Sequence, residues 1–418
     1  MVGTGVFTSL GFQIAEFQSG FLLLLLWAVG GLAALCGAMS YAELGAALPR
    51  SGGEYNFLGR IYHPAAGFVS GWVSATIGFA APTALAAITF GAYLTATIGV
   101  EAALATKALA SGLVIALALV HATTREKSGG IQLIFTVLKV AVIIMFCVAA
   151  IILSGQAQNI RFIPAVSDGP LLTSGAFAIA LIYVSYAYTG WNVATYISGE
   201  IEDPQRNLPR ILLTGAAIVT VLYLALNYVF LRAAPMDAME GQVEIGFIAA
   251  QYLFGEGPAR FTGAVLSLLL ISTVSAMIIA GPRVLHAIGE DYPLFRAMGR
   301  ANKSGVPAVA IFVQAGVAVF FIITSSFQSI LIFSGFLLAL NSFLAVAGLF
   351  VLRAREPDLT RPYRVTLFPV TPIIYLALTG WTLVYVVIDR PIEAALACGL
   401  IAAGVGAYVL VRRKTINL

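Results

Sequence analysis

The sequence predicts an all-α polytopic membrane protein from its composition, its hydropathy and its long apolar runs. Of the 418 residues, 60% are apolar and 10% are charged, whereas soluble domains have about 25% charged residues. The mean hydropathy is +0.95. Runs of about 20 apolar residues, the length that crosses a bilayer as a helix, recur along the whole chain. These observations exclude a water-soluble fold.

Eleven segments are long and apolar enough to be full transmembrane helices. They are preceded by residues 1–14, which are apolar but reach only about 21 Å as a helix at 1.5 Å per residue. We therefore interpret that segment as half of a first helix. The second to twelfth helices are predicted at residues 20–48, 66–98, 103–122, 130–154, 173–198, 211–231, 260–280, 306–324, 327–352, 370–388 and 392–411.

Basic residues are concentrated on one side of the predicted bundle. Of the 23 Lys and Arg, 17 lie after the second, fourth, sixth, eighth and tenth helices and in the C-terminal tail. Basic residues in short loops mark the cytoplasmic side, so both termini are expected in the cytoplasm and the chain in the cell (inner) membrane. This asymmetry explains the net charge of +4 without a nucleic-acid partner. The oligomeric state stays open.

Neither a metal site nor another cofactor is expected. The three Cys lie inside apolar runs and the three His are scattered, so no group has the spacing of metal ligands. The longest outward connection, residues 232–259, mixes apolar residues such as Ile245 and Leu253 with polar ones. That pattern predicts a short amphipathic helix lying on the bundle, although a passive connector remains an alternative.

Two glycine-containing clusters interrupt the apolar pattern near the expected midplane. They lie at residues 3–7 of the first helix and residues 186–192 of the sixth helix. Unsatisfied backbone at this depth is costly unless it lines a polar cavity. Because the two helices stand in corresponding positions of two five-helix halves, the paired breaks predict an inverted-repeat transporter with its site at the breaks.

The ends exposed at these breaks indicate the ligand. Free N–H groups at Thr4, Gly5 and Val6 would suit a carboxylate, and unpaired carbonyls at Tyr186 and Thr189 would suit an ammonium group. Together these sites describe a zwitterion. No nucleophile or acid–base pair lies beside them in the predicted spans, so an enzyme is not expected.

Several segments along the chain also resemble the sequence motifs of one known family. They are the glycine-rich residues 1–7, a second-to-third helix signature at residues 41–45 and 51–55, a sixth-helix signature at residues 187–192, and charged loops at residues 200–210 and 356–364. From residue 1 to its last helix, the chain resembles amino acid permeases of the amino acid–polyamine–organocation (APC) superfamily.

The resemblance implies the five-plus-five inverted-repeat fold of leucine-transporter-like proteins, followed by two extra helices. Residues 1–154 would form the first repeat, 155–352 the inverted second repeat, and 353–418 the two extra helices with a short cytoplasmic tail. It further implies that Tyr186 is an aromatic gate and Asn192 a polar lining residue. The expected substrate-binding set is Met1, Gly3, Thr4, Gly5, Tyr186, Ala187, Thr189 and Asn192.

The N-terminus departs from the family pattern. Family members have a cytoplasmic tail and an inner half of helix one before the glycine cluster, whereas this sequence starts at the cluster. An α-ammonium at Met1 would lie near the bilayer centre, at a cost of at least about 3 kcal/mol. We therefore expect the first helix to be truncated, and we expect an in-frame apolar half-helix upstream of Met1 in the genomic sequence.

Lys139 is the one basic residue deep inside a predicted span. It lies about 13 Å from the inner end of the fifth helix at 1.5 Å per residue, and no acidic residue occurs at comparable depth. Its expected partners are therefore backbone carbonyls at the first-helix break. Burial favours the neutral amine, so Lys139 is a candidate for proton coupling, and a fixed cation that braces helix one is the alternative.

Hydroxyls on the eighth helix raise the possibility of sodium. Ser272, Thr273 and Ser275 carry suitable oxygens, but a neighbouring Lys argues against a cation there. We expect them to bond to their own backbone, which favours a proton over sodium as the coupling ion. Glu43, at the cytoplasmic end of the second helix, is a gate candidate whose partner the sequence does not name.

These features predict a secondary active permease for amino acids that works by alternating access in the lipid bilayer. A neutral substrate is favoured because no carboxylate lies within the sixth, eighth or tenth span to pair with a cation. An exchanger and an amine or polyamine carrier remain alternatives within transport. A non-transporting nutrient sensor is the alternative from another class, but it would need an added soluble domain that the seven residues after Val411 do not provide.

Overall fold

The computed structural model describes residues 2–100, 102–123, 128–153, 158–292, 295–302 and 305–416. Within these ranges the regular secondary structure is helical. Its α-helices are α1 (Gly5–Ile14), α2 (Gly20–Ala47), α3 (Glu54–Ile61), α4 (Pro64–Val73), α5 (Ala80–Ile98), α6 (Ala103–Thr123), α7 (Ser128–Leu153), α8 (Gly169–Leu172), α9 (Gly175–Tyr188), α10 (Pro204–Ala233), α11 (Met236–Met239), α12 (Ile245–Phe254), α13 (Glu256–Asp291), α14 (Ala308–Thr324), α15 (Phe327–Arg355), α16 (Val370–Asp389) and α17 (Pro391–Ile416).

The described residues include nine helical spans long and apolar enough to cross a membrane, or ten if the bent pair Val166–Leu172 and Gly175–Tyr188 counts as one. The chain is thus a multi-pass membrane protein. Each of the eleven predicted segments contains a helix, but eleven full spans was too many. The segment predicted at 306–324 forms a helix of 17 residues, Ala308–Thr324, and the one at 173–198 is interrupted after Tyr188.

A further interruption was not predicted. The segment 66–98 was expected to be continuous, but a π-helical turn at Ser74–Gly78 separates α4 from α5. Such turns are single-turn insertions into α-helices and are frequent at functional sites. The hydroxyl of Thr76 donates to the carbonyl of Trp72 at 2.7 Å, so a side chain occupies a backbone acceptor within the distorted region.

Helices in corresponding positions of the two predicted halves pack against each other. The pairs are α1 with α9, α2 with α10, α5 with α13 and α6 with α14. Aromatic side chains fill the space beside the first pair: Trp27, Tyr188 and Tyr223 are fully buried, and the Trp27 indole donates to Gln13 Oε1 at 3.0 Å. This core fixes α1 and α9 side by side.

The connection after α10 forms the expected helical cover. It contains α11 and α12, and it lies directly on α1, because the N–H of Gly241 donates to the carbonyl of Gly11 at 2.9 Å. A Cβ atom built on Gly11 would come within 2.3 Å of the carbonyl oxygen of Gln242. Glycine at position 11 therefore allows the cover to contact the helix backbone.

Candidate functional site

The first helix break lies at the start of α1. The α-helix begins at Gly5, and Thr4 precedes it as a buried residue, 4% exposed. The Thr4 carbonyl accepts from the N–H of Phe7 at 2.9 Å and from the hydroxyl of Thr8 at 3.1 Å. An α-helix leaves its first N–H groups without an intrahelical partner, and here they belong to Gly5 and Val6. The positive end of the α1 helix dipole therefore faces the break.

The second break follows α9, which ends at Tyr188. Thr189 is extended, with ψ 153°, and Gly190 has φ +96°, a left-handed angle that favours glycine. A 3-10 helix, Val193–Glu200, then continues the segment. The Tyr186 carbonyl was expected to be unpaired, but it accepts from the N–H of Thr189 at 3.0 Å and from its hydroxyl at 2.6 Å. Thr189 therefore caps the helix end.

The two breaks meet at Gly5 and Ala187. A Cβ atom built on Gly5 would lie 2.4 Å from Cα of Ala187 and 2.6 Å from its Cβ. The side chains of Thr4 and Tyr186 hydrogen-bond beside this contact. The structure thus brings together four residues of the predicted substrate-binding set, with donors of α1 facing the end of α9.

Tyr223 of α10 joins the same two segments. Its hydroxyl donates to the carbonyl of Ala187 at 3.2 Å and also hydrogen-bonds the backbone of Gly3. Gly3 therefore lies at the meeting point of the breaks. Met1, the remaining N-terminal member of the predicted set, lies outside the described residues. Tyr223 was not singled out from the sequence because its position in α10 becomes relevant only once the two breaks are adjacent.

Lys139 has a different partner from the one expected. It is 6% exposed, and its Nζ donates to Oγ1 of Thr273 on α13 at 2.7 Å. The expectation of backbone carbonyls from helix one was wrong on this contact, because α7 presents the amine to a hydroxyl of α13. Ammonium-to-hydroxyl contacts satisfy a buried charge only in part.

The three α13 hydroxyls have separate partners. Ser272 bonds to its own backbone, at 2.9 Å from the carbonyl of Leu269, as expected. Thr273 instead accepts from Lys139, and Ser275 lies 2.8 Å from Nε2 of His121 on α6. Two of these hydroxyls therefore face titratable side chains of neighbouring helices.

Glu43 lies in a buried ion-pair cluster that supplies the partner the sequence did not name. Its carboxylate is 1% exposed and accepts from Nε and Nη2 of Arg353 at 2.8 and 2.6 Å. Arg361 lies 3.5 Å away, and the backbone N–H of Val365 donates at 2.7 Å. The guanidinium of Arg353 also stacks 3.7 Å from the ring centroid of Phe368. This bidentate geometry joins α2 to the end of α15.

A second buried carboxylate, Glu54, was not among the predicted site residues. Its Oε1 accepts from the hydroxyl of Tyr41 at 2.7 Å and from Nδ2 of Asn192 at 2.6 Å, and its Oε2 accepts from the hydroxyl of Tyr196. Asn192, expected to line the substrate site, thus donates to this carboxylate. The signal in the sequence was an acidic residue directly after two glycines between two apolar spans.

Aromatic residues cover the opposite end of α1. Phe12 stacks against Tyr183 of α9 and Phe327 of α15, with centroid distances of 5.9 and 5.6 Å. Nearer the start of α1, the hydroxyl of Tyr93 donates to the carbonyl of Phe7 at 3.1 Å and accepts from the N–H of Gly246 at 2.9 Å. Tyr93 therefore connects α5, α1 and the helical cover.

Comparison with known proteins identifies the family. The amino acid permease family model matches residues 1–401. The b(0,+)-type amino acid transporter 1 of Mus musculus is 26% identical over 98% of this chain and 84% of its own length. The large neutral amino acids transporter small subunit 2 of Homo sapiens is 27% identical over 98% and 77%, and the Asc-type amino acid transporter 1 of Mus musculus is 27% identical over 98% and 78%. The chain belongs to the amino acid permease family of the APC superfamily and is an amino acid transporter.

Proposed function

We propose that this permease is a secondary active transporter that moves neutral amino acids across the cell membrane by alternating access. The contact of Gly5 with Ala187 carries the proposal, because it places the positive end of α1 against the end of α9. The substrate carboxylate would bind the N–H groups of Gly5 and Val6 together with the Thr4 hydroxyl. The ammonium group would bind the Thr189 carbonyl at the break, because the carbonyls of Tyr186 and Ala187 already accept from Thr189 and Tyr223.

Two observations support a neutral substrate. The sequences of α9 and α15 contain no Asp or Glu, whereas a cationic side chain buried beside them would need a paired carboxylate. One relative also has large neutral amino acids in its name. Tyr186, buried at the break, is then the aromatic side chain that closes over the substrate.

We further propose that Lys139 couples transport to protons. Its partner supports this role, because a Thr hydroxyl both accepts from an ammonium group and donates to a neutral amine. The contact with Thr273 therefore survives loss of the proton. A sodium ion at the same hydroxyl would face the Lys ammonium at close range, and like charges at short separation repel strongly in a low-dielectric interior.

The proposed orientation follows the basic residues. The side that contains Arg353 and Arg361 would face the cytoplasm, with both termini. Glu43 then lies in a cytoplasmic gate, since its ion pairs join α2 to the segment after α15. The aromatic stack of Phe12 and the Tyr93 contacts would close the outer side. Transport would alternate between release of these two sets of contacts.

Uptake into proteoliposomes tests the proposal. We expect uptake of labelled L-leucine to survive replacement of sodium by choline and to collapse with a protonophore. Competition by a panel of amino acids should be strongest for neutral ones. Strict sodium dependence would contradict proton coupling, and insensitivity to both conditions with acceleration by internal leucine would establish an exchanger instead.

Variants of Lys139 separate coupling from bracing. Lys139→Met should abolish the response to a pH gradient, and Thr273→Val should weaken it. The matched control is Lys107→Met. Lys107 lies near the start of α6 and donates to the carbonyl of Ile323 near the end of α14. Lys139→Met is also expected to lower the yield of folded protein if Lys139 is a brace. If the remaining folded fraction still shows gradient-driven uptake, Lys139 only braces the helices and the coupling role is excluded.

A further inference from the structure

Glu54 occupies an unusual position for a carboxylate. It is the first residue of α3 and is 1% exposed. Its three hydrogen-bond donors are the neutral side chains of Tyr41, Asn192 and Tyr196. Among the described residues, no Lys, Arg or His nitrogen lies within salt-bridge distance of Glu54, whereas Glu43 pairs with Arg353 and Arg361. The buried charge is therefore stabilised by these side chains and by the N-terminal end of α3.

The donors come from two different parts of the fold. Tyr41 belongs to α2, whereas Asn192 and Tyr196 belong to the segment after the helix break at Thr189. Glu54 thus joins the segment after the break to the helices that precede it in the chain.

The turn before Glu54 also lies along this segment. The N–H of Gly53 donates to the carbonyl of Thr195 at 3.3 Å, and the hydroxyl of Ser198 donates to the carbonyl of Pro49 at 3.0 Å. A Cβ atom at Gly53 would come within 2.9 Å of the Tyr196 ring, and Gly53 has φ +53°. Glycine at this position therefore allows Tyr196 to reach the carboxylate.

The segment itself depends on such outside contacts. Residues Val193–Glu200 form a 3-10 helix, whose internal hydrogen bonds have poorer geometry than those of an α-helix. Its position is accordingly determined by what it packs against. The Glu54 carboxylate accepts from Tyr196 within this segment and from Asn192, the residue directly before it.

We propose that Glu54 is a positioning residue that holds the 3-10 segment closed against α2 and α3, and that release of Asn192 and Tyr196 from its carboxylate is a required step of opening toward the cytoplasm. The inference rests on the alternating-access mechanism proposed above. Water entering an open cytoplasmic side replaces the lost donors, so the carboxylate is satisfied in both states. A dry site without the donors leaves a buried charge unpaired, which disfavours partial opening.

Labelling of a single cysteine tests this role. In a chain with Cys36, Cys147 and Cys398 replaced by Ala, Ala194→Cys reports the exposure of the 3-10 segment to an impermeant thiol reagent added from the cytoplasmic side. Glu54→Gln should raise the labelling rate roughly tenfold, because a neutral amide forms weaker hydrogen bonds than a carboxylate. Glu54→Asp, which keeps the charge, should restore a rate close to that of Glu54.

Two further variants make the result specific. Tyr196→Phe removes one donor and should also raise the labelling rate. When it is combined with Glu54→Gln, its additional effect should be smaller than its effect alone, because the two groups share one interaction. Glu202→Gln changes an exposed glutamate nearby and should leave labelling unchanged. The dissociation constant for L-leucine should change less than the labelling rate.

The outcomes separate this inference from the proposed function. The parent is the Ala194→Cys chain that keeps Glu54. If this parent transports L-leucine but neither Glu54→Gln nor Tyr196→Phe changes the labelling rate, the positioning role is wrong while alternating access stands. If leucine leaves Ala194→Cys labelling unchanged in a chain that binds it, alternating access through this segment is wrong as well.

Discussion

Substitution of Gly5 by Ala probes the contact on which the proposed site depends. The new Cβ would lie 2.4 Å from Cα of Ala187, whereas ordinary contacts lie at 3.4 to 4 Å. Because the obstructing atoms are backbone and a Cβ, no flexible side chain can move aside. The two helix breaks would have to separate by about 1 Å, and overpacking of this kind typically costs about 1–3 kcal/mol.

That cost should appear in substrate affinity. If the carboxylate is held by the N–H groups beside Gly5, about 1–3 kcal/mol corresponds to binding weaker by about 5-fold to about 150-fold. Gly5→Val should abolish measurable binding. The assay is equilibrium binding of labelled L-leucine to detergent-purified protein, with thermal unfolding measured on the same sample.

The matched control for this substitution is Gly112→Ala. Gly112 lies within α6 and has no heavy atom within 4 Å of a Cβ built on it. It should keep both affinity and unfolding temperature, since Ala is a better helix former than Gly. Unchanged affinity in folded Gly5→Ala protein would refute the placement of the substrate between the breaks.

Two further substitutions test the contacts at either end of the bundle. Arg353→Met should lower the free energy of unfolding by about 3 kcal/mol, the low end of the range for a broken buried pair, because the side chains of Glu43 and Arg353 are 1% and 24% exposed. The control Arg60→Met breaks an exposed pair and should shift thermal unfolding far less. An equal shift in both variants would argue against a buried gate. Tyr93→Phe removes hydrogen bonds to α1 and Gly246, worth about 1 kcal/mol each, and should raise the exposure of the helical cover to impermeant reagents from outside. No change in exposure would show that the cover is held by other contacts.

The approximate positions of the helices were predictable because long apolar runs mark the segments that cross a bilayer. The second helix was predicted to run from Gly20 to Leu48 and runs from Gly20 to Ala47. The break after Tyr188 was also predictable, since glycine and polar residues at that depth require a local reason. The π-helical turn at Ser74–Gly78 was not, because small and β-branched residues also occur in regular helices.

Side-chain partners at the site were less predictable. The contact of Lys139 with Thr273 joins two residues that are 134 positions apart in sequence, and it depends on how α7 is rotated against α13. The cluster at Glu54 requires donors 13, 138 and 142 residues away. Packing geometry decides such contacts, and one sequence provides only the residue types that take part.

Hydrogen–deuterium exchange in lipid nanodiscs tests the central claim most directly. Peptides covering residues 2–12 and 184–196 are compared without and with saturating L-leucine. A substrate carboxylate bound to the N–H groups of Gly5 and Val6 predicts slower exchange of these amides when leucine is present. Leucine binding that leaves both amides unchanged, with protection confined to other segments, would contradict a substrate site at the paired helix breaks.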